Sequence, residues 1–159
     1  MGYSDDAAEA RAQGWRTLAA LHARIEDELE RALQKQHGLS VSEYSVLDAL
    51  ARQDEHHLRM NQLSNAVVLS QSATTRLVNR LEDRHLLERY LCPTDRRGIY
   101  TEVTEAGRAL LAEAEPTHDE VLTAALQKAA DFPELAPLVD ALAQLALPAT
   151  RQVASAAKV

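Results

Sequence analysis

The residues best placed to do chemistry in this chain are Gln71, Ser72, Thr75, Arg76 and Asn79, followed at a distance by Arg96 and Arg97. On a helix the first five fall on one face, because positions three and four apart lie one above another. An amide, hydroxyls and a guanidinium on such a face can hydrogen-bond base edges and phosphates, and arginine matches the two acceptors of guanine bidentately. The pair Arg96-Arg97 stands beside Gly98 in a segment, Cys92-Pro93-Thr94-Asp95-Arg96-Arg97-Gly98, whose Pro and Gly mark a turn. An arginine-tipped turn can reach a minor groove or a phosphate backbone.

These side chains need elements to hold them. Ser70 is a fitting N-cap, and Ala73, Leu77 and Leu81 recur at steps of four on the inward side of the helix it opens. Before it, 61–67 reads as a shorter helix, preceded by His56-His57-Leu58-Arg59-Met60 as a linker or short strand. After it, 88–92 and 99–103 carry the Tyr, Ile, Val and Thr of two strands around the turn. The order of helix, turn, helix and hairpin predicts a mainly α fold, a winged helix-turn-helix over 40–104 with a small β-hairpin wing.

Long helices flank this lobe. The stretch 7–36 carries Trp15, Leu18, His22, Ile25, Leu29 and Ala32 at steps of three and four, a packing seam. His37-Gly38 ends it, and Ser40-Val41-Ser42-Glu43 forms a capping box for a helix that buries Tyr44, Val46, Leu47 and Leu50. Thr104 caps another long helix containing Leu110, Leu111 and Leu122, which Pro116 is expected to kink or restart. Asp131-Phe132-Pro133-Glu134 is expected to start the last helix, where Leu135, Leu138, Leu142 and Leu145 make a second seam. Two seams at opposite ends of one chain predict a homodimer, with 7–36 and 105–157 as dimerisation helices of a single 1–159 domain; the alternative is that the two termini pack on each other within one subunit.

Composition bounds the alternatives. A chain of 159 residues with 46% hydrophobic content supports one well-buried domain. No run of about 18 apolar residues is present to span a bilayer, and Asp5, Asp6 and Glu9 replace the basic start of a signal peptide, so a cytoplasmic protein without membrane contact is expected. The net charge is −7, but Ser72 to Arg97 holds six arginines against four acids, a local +2 that leaves −9 for the rest. The lone cysteine, Cys92, cannot form an internal disulfide; Arg89 and Arg96 nearby would favour its thiolate. No metal, cofactor or catalytic site is expected: ligand spacing, a phosphate-cradling glycine loop and a nucleophile elbow are all missing from the sequence.

The helix order, the cap at Ser70 and the string Asp95-Arg96-Arg97-Gly98-Ile99-Tyr100-Thr101-Glu102-Val103-Thr104-Glu105-Ala106-Gly107-Arg108 together resemble the MarR family of bacterial transcriptional regulators. The resemblance implies a homodimeric regulator, usually a repressor, that leaves a pseudo-palindromic double-stranded DNA operator when a small aromatic, phenolic or antibiotic-like effector binds. By position it implies base contacts from Ser72 and Arg76, base or phosphate contacts from Gln71, Thr75 and Asn79, and wing contacts from Arg96 and Arg97, with Asp95 orienting Arg97. Trp15, His22 and Tyr44 are the candidate walls of an effector pocket. Two departures stand out: Val68 occupies a turn position that often holds glycine, and Arg59 sits where a short polar N-cap is preferred. The alternative from another class is a winged helix that binds a protein partner instead of DNA.

Overall fold

The computed structural model describes residues 3–145 apart from Arg96, with side chains from Asp6 onward. Among the described residues six helices and three strands follow one another as α1 (Tyr3–His37), α2 (Val41–Ala51), β1 (His57–Arg59), α3 (Met60–Ala66), α4 (Gln71–Asp83), β2 (Leu87–Leu91), β3 (Ile99–Val103), α5 (Glu105–Ala130) and α6 (Ala136–Gln144). The chain divides into two compact units, one gathering the chain up to Arg31 with that from Asp119 onward, the other spanning Ala32–His118.

The central unit is built around α2, α4 and the sheet. Leu33, Leu39, Val46, Leu47, Leu50, Leu63, Val78, Leu81, Leu87 and Val103 are essentially inaccessible and form its core. The capping box that opens α2 is complete: the Glu43 amide donates to Ser40 Oγ and the Ser40 amide to a Glu43 carboxylate oxygen, each at 3.0 Å. The sheet has the order β1-β3-β2, all antiparallel, with Arg59 opposite Tyr100 and Tyr90 opposite Tyr100 on the other side. Period-two alternation then sends Leu58, Thr101 and Val103 into the core and leaves His57, Arg59, Tyr90 and Tyr100 together on the outer face.

Three helices of this unit end on a left-handed residue. Leu39 N–H reaches Leu33 C=O after α1, Leu69 N–H reaches Ser64 C=O after α3, and Leu86 N–H reaches Leu81 C=O after α4. The last two are six-to-one closures and the first is one residue wider; each needs a left-handed residue just before the donor, and Gly38, Val68 and His85 supply it with φ of 63°, 55° and 59°. Only the first is glycine. At Gly107 the requirement is closeness: a Cβ there would lie 2.0 Å from Leu86 O and 2.7 Å from Val103 Cγ2. The Thr104 hydroxyl accepts from Gly107 N–H and donates to His85 C=O, closing the start of α5 onto the end of α4.

In the terminal unit Leu21, Ala129 and Leu135 form a small core with Ile25, Leu138 and Val139 packed against it, and Lys128 faces Glu28 at 3.5 Å. The buried line on α1 is therefore Leu21, Ile25 and Leu29, whereas Trp15 is 70% exposed and Leu18 40%. Of the two outcomes expected at Pro116 the restart is ruled out, and the start of the last helix is corrected. Helix α5 does not restart at Pro116 but runs on to Ala130; Ala112, whose carbonyl loses its donor, and Pro116 are both exposed, so water can satisfy that group. The last helix does not begin at Asp131 to Glu134. Asp131 and Phe132 amides still bond back to Lys128 and Ala129 of α5, and a turn from Phe132 to Leu135 and Ala136 must pass before α6 starts. Residues 146–157 of the expected C-terminal dimerisation helix lie outside the described residues.

Candidate nucleic-acid interface

Helix α4 is amphipathic over 13 residues, with Thr74, Leu77, Val78 and Leu81 buried and Gln71, Ser72, Thr75, Arg76 and Asn79 exposed on the other side. Ser70 caps it through Ala73 N–H at 3.2 Å. The Thr75 hydroxyl turns back to Gln71 C=O at 2.8 Å, and Ser72 Oγ lies 3.2 Å from Ser70 Oγ.

The arginines in and after this helix divide by partner. Arg80 Nε lies 3.3 Å from one Glu43 oxygen and Arg84 Nη1 3.5 Å from the other, on a carboxylate only 9% exposed. Arg84 also donates to Gly38 C=O at 3.1 Å. Arg89 forks onto Glu82, its Nε donating at 3.1 Å, and this contact holds the Glu82 carboxyl below its ordinary range. Arg76, by contrast, has no hydrogen bond or ion pair among the described residues, and neither Glu82 nor Asp83 takes its guanidinium.

The wing is the β2–β3 hairpin. Asp95 holds Arg97 through its backbone and not through the guanidinium: one carboxylate oxygen accepts from the Arg97 N–H at 3.1 Å and the other from Arg59 Nη2 at 3.0 Å. The Arg97 side chain is left exposed, and Arg96 lies outside the described residues. Arg59 also donates from Nε to Tyr100 Oη at 3.1 Å, and its guanidinium carbon stands 5.4 Å from the Tyr100 ring centre. The hydrogen bond and charge of the Tyr100 phenol, and then Asp95, push the already high Arg59 pKa further up. At the start of α3 the Gln62 side chain, rather than Arg59, supplies the local bond by accepting Arg59 N–H at 3.0 Å.

Cys92 is half-buried, and its thiol is held below its ordinary value by the Thr94 hydroxyl at 3.1 Å and the Thr94 amide. Of the two arginines expected to favour its thiolate, Arg89 is committed to Glu82 and Arg96 lies outside the described residues. Between α3, α4 and the hairpin, an open cleft of about 320 Å³ is lined by Met60, Asn61, Ser64, Gln71, Thr75, Arg89 and Ile99. Among the described residues no three His, Cys, Asp or Glu side chains are grouped to hold a metal ion, and no helix is long and apolar enough to cross a membrane.

The residues expected to wall an effector pocket fall in different settings. Trp15 and His22 belong to the terminal unit and are exposed; His22, placed by its spacing on the packing seam of α1, is not packed there and faces Glu26 at 3.6 Å. Tyr44 belongs to the central unit, buried and stacked on His118 with ring centres 4.4 Å apart and planes within 6°. Sequence reasoning missed the second role of Glu43 and the reach of Arg59. The unusual arginine at an N-cap was the only local signal for the latter.

A helix-turn-helix whose second helix exposes a polar face beside an arginine-bearing hairpin defines a winged-helix protein. The MarR family profile matches residues 37–98. The transcriptional regulator MhqR of Bacillus subtilis is 33% identical over 101 residues, covering 64% of this chain and 68% of the relative. The transcriptional repressor MprA of Escherichia coli is 32% identical over 82 residues, 52% of this chain and 47% of MprA. Among solved structures, the MarR-family regulator Sco3205 of Streptomyces coelicolor, determined in complex with DNA, superposes with a TM-score of 0.70 at 28% identity, covering 81% of this chain and 80% of that one. The chain belongs to the MarR family of transcriptional regulators; these relatives are regulators, not enzymes.

Proposed function

We propose that two copies of this chain form a homodimeric repressor that binds a pseudo-palindromic DNA operator and is released by a small aromatic or phenolic effector. The observation that carries the DNA reading is the sorting of arginines: Arg80, Arg84 and Arg89 are held by carboxylates, whereas Arg76 stands unpaired on the exposed polar face of α4. In this reading Ser72 and Arg76 contact base edges in the major groove, Gln71, Thr75 and Asn79 contact bases or phosphates, and Arg96 and Arg97 enter the minor groove. The DNA-bound state of Sco3205 and the repressor role of MprA support the assignment by kinship.

The dimer is supported by apolar side chains left uncovered in a single chain: Trp15, Leu18, Leu142 and Leu145. The effector rests on the family resemblance, with Trp15, His22 and Tyr44 as its contacts. Release requires the ligand to favour a dimer geometry in which the two recognition helices no longer match successive grooves.

The test is selection of duplexes from a random pool by purified protein, followed by titration at two salt concentrations. An inverted repeat with half-sites about 10 bp apart, bound with a steep salt dependence, is the expected result. Failure to retain any duplex at low salt would turn the reading toward a protein partner. Screening phenolic acids, purines and antibiotics by thermal shift and gel retardation tests the effector, and binders that leave operator affinity unchanged would remove it.

A further inference from the structure

We propose that Arg59 is the positioning residue of the wing, fixing from the start of α3 the loop that presents Arg97. The inference rests on the proposed role of the wing in DNA binding. Its basis is one guanidinium with neighbours in three directions. Nε donates to Tyr100 Oη, Nη2 donates to Asp95, and the group lies close under the turn, where a Cβ at Gly98 would come within 3.6 Å of Arg59 Cζ. Asp95 passes the constraint on, because its other oxygen holds the Arg97 amide and its carbonyl accepts Gly98 N–H at 3.1 Å.

The framework under Arg59 is built to hold it. Arg59 pairs with Tyr100 in the sheet, Tyr100 stacks on Tyr90 with planes within 16°, and Tyr90 Oη lies 2.8 Å from His57 Nδ1, so the platform crosses all three strands. Burial, with Glu102 adding to it, pushes the Tyr90 phenol up and keeps it protonated within that platform. The side chain therefore links the edge strand, the entry to the helix-turn-helix and the hairpin loop. A hairpin joined to the lobe only by its strands would leave the aim of its tip to the turn. Here a planar fork with divergent donors joins the tip to α3, and lysine, a point charge without that fork, cannot replace it. A phosphate contact by Arg59 would be a different role, one that does not act through Asp95 and Arg97.

The two roles separate experimentally. Full-length wild type, Arg59→Lys, Arg59→Ala, Asp95→Asn, Arg97→Ala and the double variant Arg59→Ala/Arg97→Ala are compared in two assays. In limited trypsin digestion of the folded proteins without DNA, cleavage after Arg97 is expected to run several-fold faster in Arg59→Lys and Asp95→Asn than in wild type. An unchanged rate overturns the proposal whatever the protein binds. In titrations of a duplex selected by the wild type, Arg97→Ala is expected to weaken binding several-fold in the wild-type background and to have little effect when Arg59 is already alanine. Equal factors in both backgrounds, or restoration by Arg59→Lys, would make Arg59 an independent phosphate contact and overturn the positioning role. Asp95→Asn leaves the α3 entry untouched and guards against misfolding of the Arg59 variants. Faster cleavage together with a wild type that retains no duplex would sink the DNA-binding reading and leave the positioning of the loop standing.

Discussion

At the scale of single residues, partners decide roles. Arg76 and Arg97 are both exposed arginines without side-chain partners among the described residues, but one stands on a helix and the other on a hairpin tip. Arg76→Ala is expected to relax the preference at one symmetric pair of operator positions, by about 1–3 kcal/mol in discrimination. Arg97→Ala is expected to weaken binding across sequences and to flatten the salt dependence. A saturation-mutated operator library titrated at two salt concentrations distinguishes them; an unchanged sequence logo for Arg76→Ala would refute its base-reading role. Gly107 matters for another reason, since any side chain there meets the Leu86 carbonyl, which belongs to backbone and cannot swing away. Gly107→Ala is expected to destabilise the fold by about 1–3 kcal/mol, as overpacking does, and a chemical-denaturation midpoint equal to wild type would contradict the geometry.

Among the elements, helix ends and a helix-to-strand pair carry the next tests. Val68 adopts φ 55° at the turn of the helix-turn-helix while 87% exposed, so it takes the left-handed conformation with almost no packing in return. For a branched residue that conformation costs about 1–2 kcal/mol, offset in a glycine variant by about 0.5–1 kcal/mol of chain entropy. Val68→Gly is thus expected to raise the melting temperature slightly, and a lower one would show that the valine is not strained there. Glu82 at the end of α4 holds Arg89 of β2, and its carboxyl is lowered from the ordinary 4.5 chiefly by that bond. A lowered folded pKa stabilises the protein above the unfolded value and loses that contribution as pH falls through the folded value. The stability gap between wild type and Glu82→Gln is therefore expected to be full above about pH 4.5 and to close in more acidic solution. Urea midpoints measured across that range check it, and a gap that widens on acidification would reverse the sign.

At the scale of the whole molecule, the proposed dimer rests on the terminal helices. Leu135 is buried against Leu21 in the terminal unit, while Leu142 and Leu145 on the same stretch remain exposed. Each leucine buried in a dimer contributes about 1.5–3 kcal/mol, enough for several on each chain to make folding and association inseparable. A chain ending at Phe132 is expected to aggregate or unfold. Light scattering and circular dichroism that report a well-folded monomer from this truncation would overturn the dimer.

What the sequence by itself determined is what works over three or four residues. Ser40 with Glu43, Ser70 before α4, the alternating buried and polar positions of α4 and the Pro-Gly turn of the hairpin are local devices, each legible because donor and acceptor sit within one turn of chain. The motif from Asp95 to Arg108 was legible too, although the reason for its glycine was not. Only the tertiary structure decided which arginines are free. Glu43 meets Arg80 across 37 positions and Arg59 meets Asp95 across 36, and no periodicity encodes a pairing between elements that approach only after the core has closed. The late start of α6 is local by contrast, since the chain leaving α5 keeps its last amides bonded three residues back, to Lys128 and Ala129, before the turn that leads to Leu135. Local hydrogen bonds and apolar spacing fixed the parts, and the packing of distant segments assigned charge to structure or left it open to a partner.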